Sequence, residues 1–330
     1  MKISSAETLR LLIPAISLAV LLAAVFYLQP RAMSYTGLNL LFNLAVPIAL
    51  ATIAQMIIMA VNDLDLSIGT FVSFAACVTA AFMPEAPLTA GLILGSAVCV
   101  YALTGFIITL RDLPSIVVTL GMSFVWGGLA VLILPAPGGS APEWLRGLMT
   151  AKPPFVPMAI IASLAVAALA HVIVMRSTFG VAIRGVGGNS RSVARAGWSV
   201  LRLKAGAYAL AAVFAILAGM ALVGLTTSAD ANIALRYTLL SIAGVILGGG
   251  EFTGGRVSPI GAVIGALTLT LAGSFLSFLR ISPDWQIGAQ GAILIIVLGL
   301  RLLFNARQNG GQSGGQSGSQ SGSKTGGART

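Results

Sequence analysis

Long apolar runs separated by short polar stretches make up most of the chain between positions 11 and 304. About 20 helical residues cross a hydrocarbon layer of ~30 Å, so runs of this length predict membrane-spanning helices. The pattern predicts an all-α membrane protein, a polytopic bundle of about ten transmembrane helices. The predicted segments are 11–28, 38–61, 66–83, 88–110, 115–134, 155–175, 204–226, 237–248, 257–279 and 285–304. The eighth is too short to cross alone, which predicts a tilted or broken helix beside the turn at 248–250.

Composition and charge support the same class. The chain is 57% hydrophobic and 8% charged, whereas a soluble domain carries about 25% charged residues. The net charge of +10 comes from cations that flank apolar runs, which indicates membrane orientation and not nucleic-acid binding. With the N-terminus inside, 14 of the 19 Lys and Arg residues face the cytoplasm and five face outward. The distribution therefore predicts a multi-pass membrane protein with cytoplasmic N- and C-termini.

The sequence predicts two regions of different character. Residues 1–307 are expected to form the transmembrane domain, and its first apolar run is interpreted as an uncleaved helix because no clean small-x-small cleavage site follows it. Residues 308–330 form a disordered cytoplasmic tail rich in Gly, Ser and Gln, a composition unable to build a core.

An acidic octapeptide at 62–69 interrupts two adjoining apolar runs. Its candidate pathway or gate residues are Asn62, Asp63, Asp65, Ser67 and Gly69. A carboxylate at this place is expensive unless it lies at an interface, a helix end or a watery cavity. Asp65 or Ser67 can cap the following helix, and Asp65 can also act in the pathway; both roles remain open. Asn62 and Asp63 are expected to face a cytoplasmic vestibule.

The stretch 176–202 is the longest basic loop predicted. Asn189 or Ser190 can cap a short helix from Arg191 to about Ala196, which Gly197 ends. Such an amphipathic helix would offer a partner a surface to bind, although its arginines could instead hold anionic lipid headgroups. The candidate coupling residues are Arg184, Gly187, Gly188, Asn189, Arg191, Arg195, Gly197 and Trp198.

Small residues and lone reactive residues suggest packing and not chemistry. Ala207, Ala211, Ala215 and Gly219 recur every four residues, and a face of this kind lets helices approach within a subunit or across a dimer. Cys77 and Cys99 are interpreted as small core residues. No Walker A pattern or metal-ligand cluster occurs, so we expect no cofactor, no metal and no enzyme activity; any ATP would be bound by a partner subunit.

Three ordered motifs carry a family resemblance. The octapeptide resembles the Gly-Gly-Ile-Asp-Leu-Ser-Val-Gly motif of ribose-type (monosaccharide) ABC transporter permeases, within the branched-chain amino acid/sugar importer permease superfamily. The stretch 180–197 is similar to that family's central cytoplasmic loop, and 247–266 matches its late glycine block. The departure is Asp63, where the family usually has Gly. The residues of the late block, read as a structural glycine turn, are Gly248, Gly249, Gly254, Gly255, Gly261 and Gly265.

The resemblance implies an inverted-repeat fold like that of type II ABC importers. It also implies a second permease subunit, a cytoplasmic ATP-binding subunit, a periplasmic sugar-binding protein and membrane lipids as partners. The expected function is import of a neutral monosaccharide or similar polyol by ATP-driven alternating access. Two alternatives remain: a secondary transporter with inverted repeats, or a permease of the same family for a nucleoside, an autoinducer or an amino acid.

Overall fold

The computed structural model describes residues 5–279 and the isolated positions 288 and 292, with side chains from position 14 onward. The predicted tenth segment, 285–304, and the tail, 308–330, lie outside the described residues. The described part is helical, with one isolated bridge between Gly138 and Ala229. The helices are α1 Ser5–Leu28, α2 Tyr35–Leu41, α3 Ala45–Ala60, α4 Ile68–Phe82, α5 Pro87–Leu110, α6 Ser115–Ile133, α7 Glu143–Met149, α8 Met158–His171, α9 Thr178–Arg195, α10 Val200–Thr226, α11 Tyr237–Leu247 and α12 Pro259–Phe278.

Within the described residues, six helical spans are long and apolar enough to cross a membrane. Three further apolar helices are shorter, so the described part does not by itself give the ten crossings predicted. The six spans are Tyr35–Ala60, Pro87–Leu110, Ser115–Ile133, Met158–Arg176, Val200–Thr226 and Pro259–Phe278, and the shorter helices are Pro14–Leu28, Ile68–Phe82 and Tyr237–Leu247. The short eighth helix is confirmed: α11 ends at Gly248, and Gly249 has a positive φ of 92°.

Helix α3 forms the centre of the bundle. Every residue of α3 is buried, and the helix packs against α8, α10, α11 and α12. Its interior face is apolar except for Thr52, whose hydroxyl donates to the carbonyl of Ile48, and Gln55. Helix α6, by contrast, buries only Thr119, Trp126 and Ala130 and leaves the rest of its apolar surface outward. A hydrocarbon environment explains that surface, because lipid tails are as apolar as the side chains.

Helices α4 and α11 are both short, and each is preceded by a non-helical segment inside the bundle; we call them the discontinuous helices. Gly219 of α10 lies against Val72 of α4, whereas Lys204, 15 residues earlier on α10, contacts Asp63 in the linker before α4. At 1.5 Å per residue these contacts are about 22 Å apart along α10. The linker 61–67 therefore covers the half of the bundle where α3 ends and α9 lies, which we call the α9 end. Helix α4 covers the opposite half.

The second discontinuity runs in the opposite sense. The non-helical segment 227–236 starts beside Gly138 at the end opposite α9 and descends along α4, where Ser73 Oγ accepts from the amide of Ala234 at 3.0 Å. Helix α11 then runs on toward the α9 end. The two short helices therefore begin side by side inside the bundle, where Thr238 Oγ1 accepts from the amide of Gly69 at 3.0 Å.

The predicted basic loop is largely helical, which corrects the sequence interpretation. Gly185, Gly187 and Gly188 lie inside α9 and do not form a turn. Glycine is a poor helix former, but here the missing side chain allows a close approach: a Cβ on Gly187 would overlap the carbonyl oxygen of Ala60. The short helix predicted within this stretch is present as the second part of α9.

Candidate functional site

The three sequence motifs meet at one place at the α9 end. Asn62 follows α3 in a left-handed conformation (φ 68°), and its Oδ1 accepts from the amide of Gly254 at 3.3 Å. Gly255, also left-handed (φ 65°), lies so close to the carbonyl of Arg184 that a Cβ would overlap it. Gly187 lies between Ala60 and Gly255. The octapeptide, α9 and the late glycine block therefore form one junction, which we call the motif junction.

Asp65 is the centre of a buried hydrogen-bonded cluster. Its side chain has no solvent exposure, and its Oδ1 accepts from both the amide and the hydroxyl of Ser67 at 2.7 Å. Its Oδ2 accepts from the hydroxyl of Tyr101 on α5. Ser67 itself makes no capping bond to α4. Neither of the two predicted caps binds a backbone amide of α4. Asp65 binds the amide of Ser67, the residue before the helix, and the amide of Gly69 in the first turn is bound by Thr238.

Asp63 forms a second cluster close to the first. Lys204 Nζ donates to its Oδ1 at 2.9 Å and to its Oδ2 at 3.0 Å, and Tyr208 OH donates to Oδ2 at 3.4 Å. The Asp63 side chain is 8% exposed and that of Lys204 17%. Burial raises the pKa of the Asp63 carboxyl, while the Lys204 ammonium and the Tyr208 hydroxyl act in the opposite direction.

This arrangement corrects the expectation that both Asn62 and Asp63 face a vestibule. Asn62 is exposed, but Asp63 is buried in an ion pair. The two clusters adjoin, because the rings of Tyr101 and Tyr208 lie 6.1 Å apart. Tyr208 packs against Gly105 of α5 so closely that a Cβ there would collide with its ring. Linker, α5 and α10 are thus joined through two carboxylates and two tyrosines.

Beside the motif junction, α9 divides at Asn189. The backbone there is extended (φ −160°, ψ 95°), and Asn189 Oδ1 accepts from the amide of Ser192 at 3.1 Å. Asn189, and not Ser190, is therefore the cap of the short helix. Gly197, with a φ of 86°, follows that helix. Arg191 and Arg195 are exposed, and Trp198 is 45% exposed, so this basic surface is open in the described part of the subunit.

The late glycines are packing residues inside the subunit. Gly261 and Gly265 of α12 lie against Gly248 and Gly244 of the α11 region, where any Cβ would overlap backbone atoms. Gly219 likewise meets Val72 of α4. The question left open by the sequence, whether these small faces meet within a subunit or across a dimer, is answered for these glycines: they meet within it.

Several residues of the site carry no sequence motif. Tyr101, Lys204, Tyr208 and Thr238 lie far along the chain from the octapeptide, and the sequence analysis did not select them. The available signal was weak: each is a polar group within or beside an apolar run. Cys99 is exposed, so its assignment to the core is wrong, whereas Cys77 is buried as expected. Among the described residues no cluster of His, Cys, Asp or Glu could hold a metal ion.

A second polar feature lies at the opposite end. A narrow cleft of about 20 Å³, room for roughly one water molecule, opens there. It is lined by the amides of Asn39 and Asn43 and by apolar side chains that include Met149, Met158 and Leu225.

The apolar spans, the two discontinuous helices and the exposed basic helix define a polytopic membrane protein of the transporter class. The chain belongs to the family described as branched-chain amino acid transport system / permease component, whose model matches residues 37–298. It is thus a multi-pass inner-membrane permease and not an enzyme. No solved structure matches the chain.

Curated relatives agree over most of the chain. It is 29% identical to the galactose/methyl galactoside import permease protein MglC of Escherichia coli, over 88% of this chain and 94% of that protein. It is 26% identical to the ribose import permease protein RbsC of the same organism, over 86% and 91%. A probable ABC transporter permease protein, y4mJ of Sinorhizobium fredii, is 28% identical over 86% of each chain. The chain is therefore a member of a permease family that includes ABC sugar importers.

Proposed function

We propose that this chain is the membrane subunit of a binding-protein-dependent ABC importer that carries a neutral monosaccharide or similar polyol. Two permease subunits would surround one pathway, with ATP-binding subunits against α9 and a sugar-binding protein at the opposite face. The observation that carries the proposal is the motif junction. There the first part of α9 packs at Gly187 against Ala60, the last residue of α3, and against Gly255. Asn62 of the linker binds the neighbouring Gly254. The exposed basic helix, a surface suited to a separate ATPase, follows directly in α9.

The solute class follows from the state of the charges beside the pathway candidates. Both carboxylates of the octapeptide are engaged, Asp63 by Lys204 and Asp65 by Ser67 and Tyr101. The half-buried hydroxyls near the start of α4, those of Thr70 and Thr238, are each hydrogen-bonded to the backbone there and keep further hydrogen-bonding capacity. Hydroxyls bind sugar hydroxyls without selecting for charge. The relatives named for galactose and ribose import support the same class.

The gate would lie where α4 and α11 begin. In transporters built from inverted repeats, solute sites lie near the middle of the bilayer beside discontinuous helices. Gly69 and Thr238 meet at such a place, and the two helices approach it from opposite ends. In this proposal Asp65 and Ser67 hold the start of α4 and Gly69 permits the close approach. Asn62 connects the linker to the motif junction, and Asp63 connects it to α10.

Uptake into proteoliposomes tests the proposal. The permease is reconstituted with a candidate ATPase and a candidate binding protein, and uptake of ribose, galactose, a nucleoside and leucine is measured with and without internal ATP. We expect sugar uptake that requires ATP and the binding protein. Uptake of sugar by the permease alone, driven by an ion gradient, would favour a secondary transporter. ATP-driven uptake of leucine without sugar would place the chain with amino acid importers.

A further inference from the structure

The ion pair between Asp63 and Lys204 is a feature of this chain that the family motif does not contain. Asp63 is an acidic side chain at a buried position, only 8% exposed. Lys204, 141 residues away in sequence, supplies the matching cation. A buried charge without a partner is strongly unfavourable, so each of the two residues depends on the other.

Lys204 lies directly behind the exposed helix of α9. Residues 196–199 alone join the end of α9 to the start of α10, and Lys204 is one turn inside α10. The joint is tied back to α9, because the amide of Trp198 donates to the carbonyl of Val193 at 3.3 Å. Ser199 caps α10 through the amide of Arg202. Because this joint is short and hydrogen-bonded at both ends, a displacement of the short helix would also displace the first turns of α10.

On the other side of the pair, Asp63 belongs to the linker that positions α4. Neighbouring linker amides are held by α6, with Leu64 donating to Ser115 Oγ and Leu66 to Thr119 Oγ1, both at 3.1 Å. Asp63 is the linker's charged contact with α10, and Tyr208 reinforces it one turn further along that helix. The pair is thus where motion of α10 acts on the linker.

We propose that Lys204 is a positioning residue that couples α9 to the gate: its ion pair with Asp63 transmits displacement of the 190–195 helix to the linker and hence to the start of α4. The inference rests on the proposed function, because the displacement is the one an ATPase would impose. Lys204 touches no solute in this account. Its action is exerted through Asp63.

The competing explanation is that the pair only neutralises two buried charges. A coupling role and a purely structural role of the ion pair predict different behaviour for a variant that lacks both residues. Removing one partner leaves the other charge buried and alone, whereas removing both leaves no charge to neutralise. Asp63→Gly combined with Lys204→Met restores the family's glycine and keeps an apolar stem in place of the lysine. If the pair is only structural, this double variant behaves as the wild type.

The experiment measures sugar uptake per ATP hydrolysed in the reconstituted complex, together with the melting temperature of each purified permease. Both single variants should melt lower and couple poorly. The double variant should regain the wild-type melting temperature but lose roughly fivefold or more of uptake per ATP. The swapped pair Asp63→Lys/Lys204→Asp should recover part of that loss. Arg111→Met, an exposed cation at the same end, serves as the control. Wild-type coupling in the double variant overturns the proposal.

A readout that needs no ATP separates this inference from the proposed function. Ala194→Pro breaks the short helix, and deuterium exchange at the amides of 62–67 is then followed in the full-length permease. With the ion pair present, exchange in the linker should rise; with the double variant as background, Ala194→Pro should add nothing. If exchange rises only with the ion pair present but no ATP-driven uptake is found, the importer assignment is refuted, while the connection between the 190–195 helix and the linker is supported. Equal responses in both backgrounds would refute the link itself.

Discussion

The two discontinuous helices are reached by segments of opposite character. The linker before α4 holds two buried carboxylates, each bound by side chains from distant helices. The segment before α11 contacts the rest of the bundle through neutral groups, such as the amide of Ala234 on Ser73 and the bridge between Gly138 and Ala229. Its one carboxylate, Asp230, accepts from the amide of Asn232 within the segment itself. Both segments deliver a helix start to the same place, where Gly69 meets Thr238.

The difference between the two segments indicates that buried charges determine the conformation of the linker before α4, whereas close backbone contacts determine that of the segment before α11. A buried carboxylate accepts only an arrangement that supplies donors, so it fixes the linker in one geometry. Backbone contacts near glycine fix the α11 side by shape instead. The linker also lies near α9. A conformational change in a partner bound at α9 would therefore reach the linker before it reached the segment that leads to α11. Variants at four sites test this contrast, and the expected loss of stability decreases from the start of α4 to the exposed helix of α9.

The largest effect is expected from filling the space where the helices meet. Gly69→Val places a side chain within 2.7 Å of the carbonyl oxygens of Ala234 and Leu235, so backbone must move. We expect a loss of about 3 kcal/mol or more and little folded protein in the membrane. Gly91→Val on α5, where nothing lies within 4 Å, is the control for valine in a helix. The measurement is the yield and melting temperature of detergent-purified protein. Equal behaviour of the two variants would contradict the close approach.

Next in size is the loss of the buried carboxylate. Asp65→Ala leaves the hydroxyls of Tyr101 and Ser67 and the amide of Ser67 without their acceptor, which costs about 2 kcal/mol. We expect a lower melting temperature and impaired uptake per inserted molecule. The exposed Glu143→Ala is the matched acid-to-alanine control. Normal uptake per molecule in a destabilised variant would leave Asp65 only its structural role.

A smaller effect is expected on the α11 side. Thr238→Val removes the acceptor for the Gly69 amide while keeping the side-chain shape, a loss of about 1 kcal/mol. Thr109→Val is the control, because that hydroxyl bonds only the carbonyl of Gly105 in its own helix. If Thr238→Val costs as much stability as Asp65→Ala, the contrast between a charged and a neutral segment fails.

The smallest stability effect belongs to the exposed helix. Asn189→Ala removes its cap, which costs about 1 kcal/mol locally and should barely change global melting. ATPase stimulation by the loaded binding protein should nevertheless fall, and Asn189→Asp, which keeps a capping oxygen, should restore it. Ser190→Ala is the neighbouring control. Loss of stimulation in Ser190→Ala, with none in Asn189→Ala, would show that the cap has been misassigned.

Local features of this fold could be predicted from the sequence. The apolar runs gave helix bounds close to those seen for α5 and α6, and the glycines after α11 marked its end. Asn189 was one of two expected caps, and the structure selects it. These succeed because capping, turns and periodicity act over a few residues. Whether the 176–202 region faces the cytoplasm stays a prediction.

Features that depend on distant pairing could not be predicted. Asp63 looked like a vestibule residue because nothing near it in sequence supplies a cation; Lys204 does so from α10. Gly187 was placed in a predicted loop, yet it lies in a helix that packs closely against Ala60 and Gly255. The position of the linker within the bundle could not be predicted either, because the length of an apolar run does not show which half of a bundle it occupies.

The account's central claim is that the exposed basic helix lies on the cytoplasmic side, where an ATPase can reach it, and single-cysteine labelling tests this most directly. In a background with Cys77→Ala and Cys99→Ala, Ser190→Cys reports on α9 and Ser140→Cys on the opposite end, both positions being exposed. A membrane-impermeant maleimide should label Ser140→Cys in intact cells and Ser190→Cys only after permeabilisation. Strong labelling of Ser190→Cys in intact cells, with Ser140→Cys protected, would invert the bundle and contradict the account.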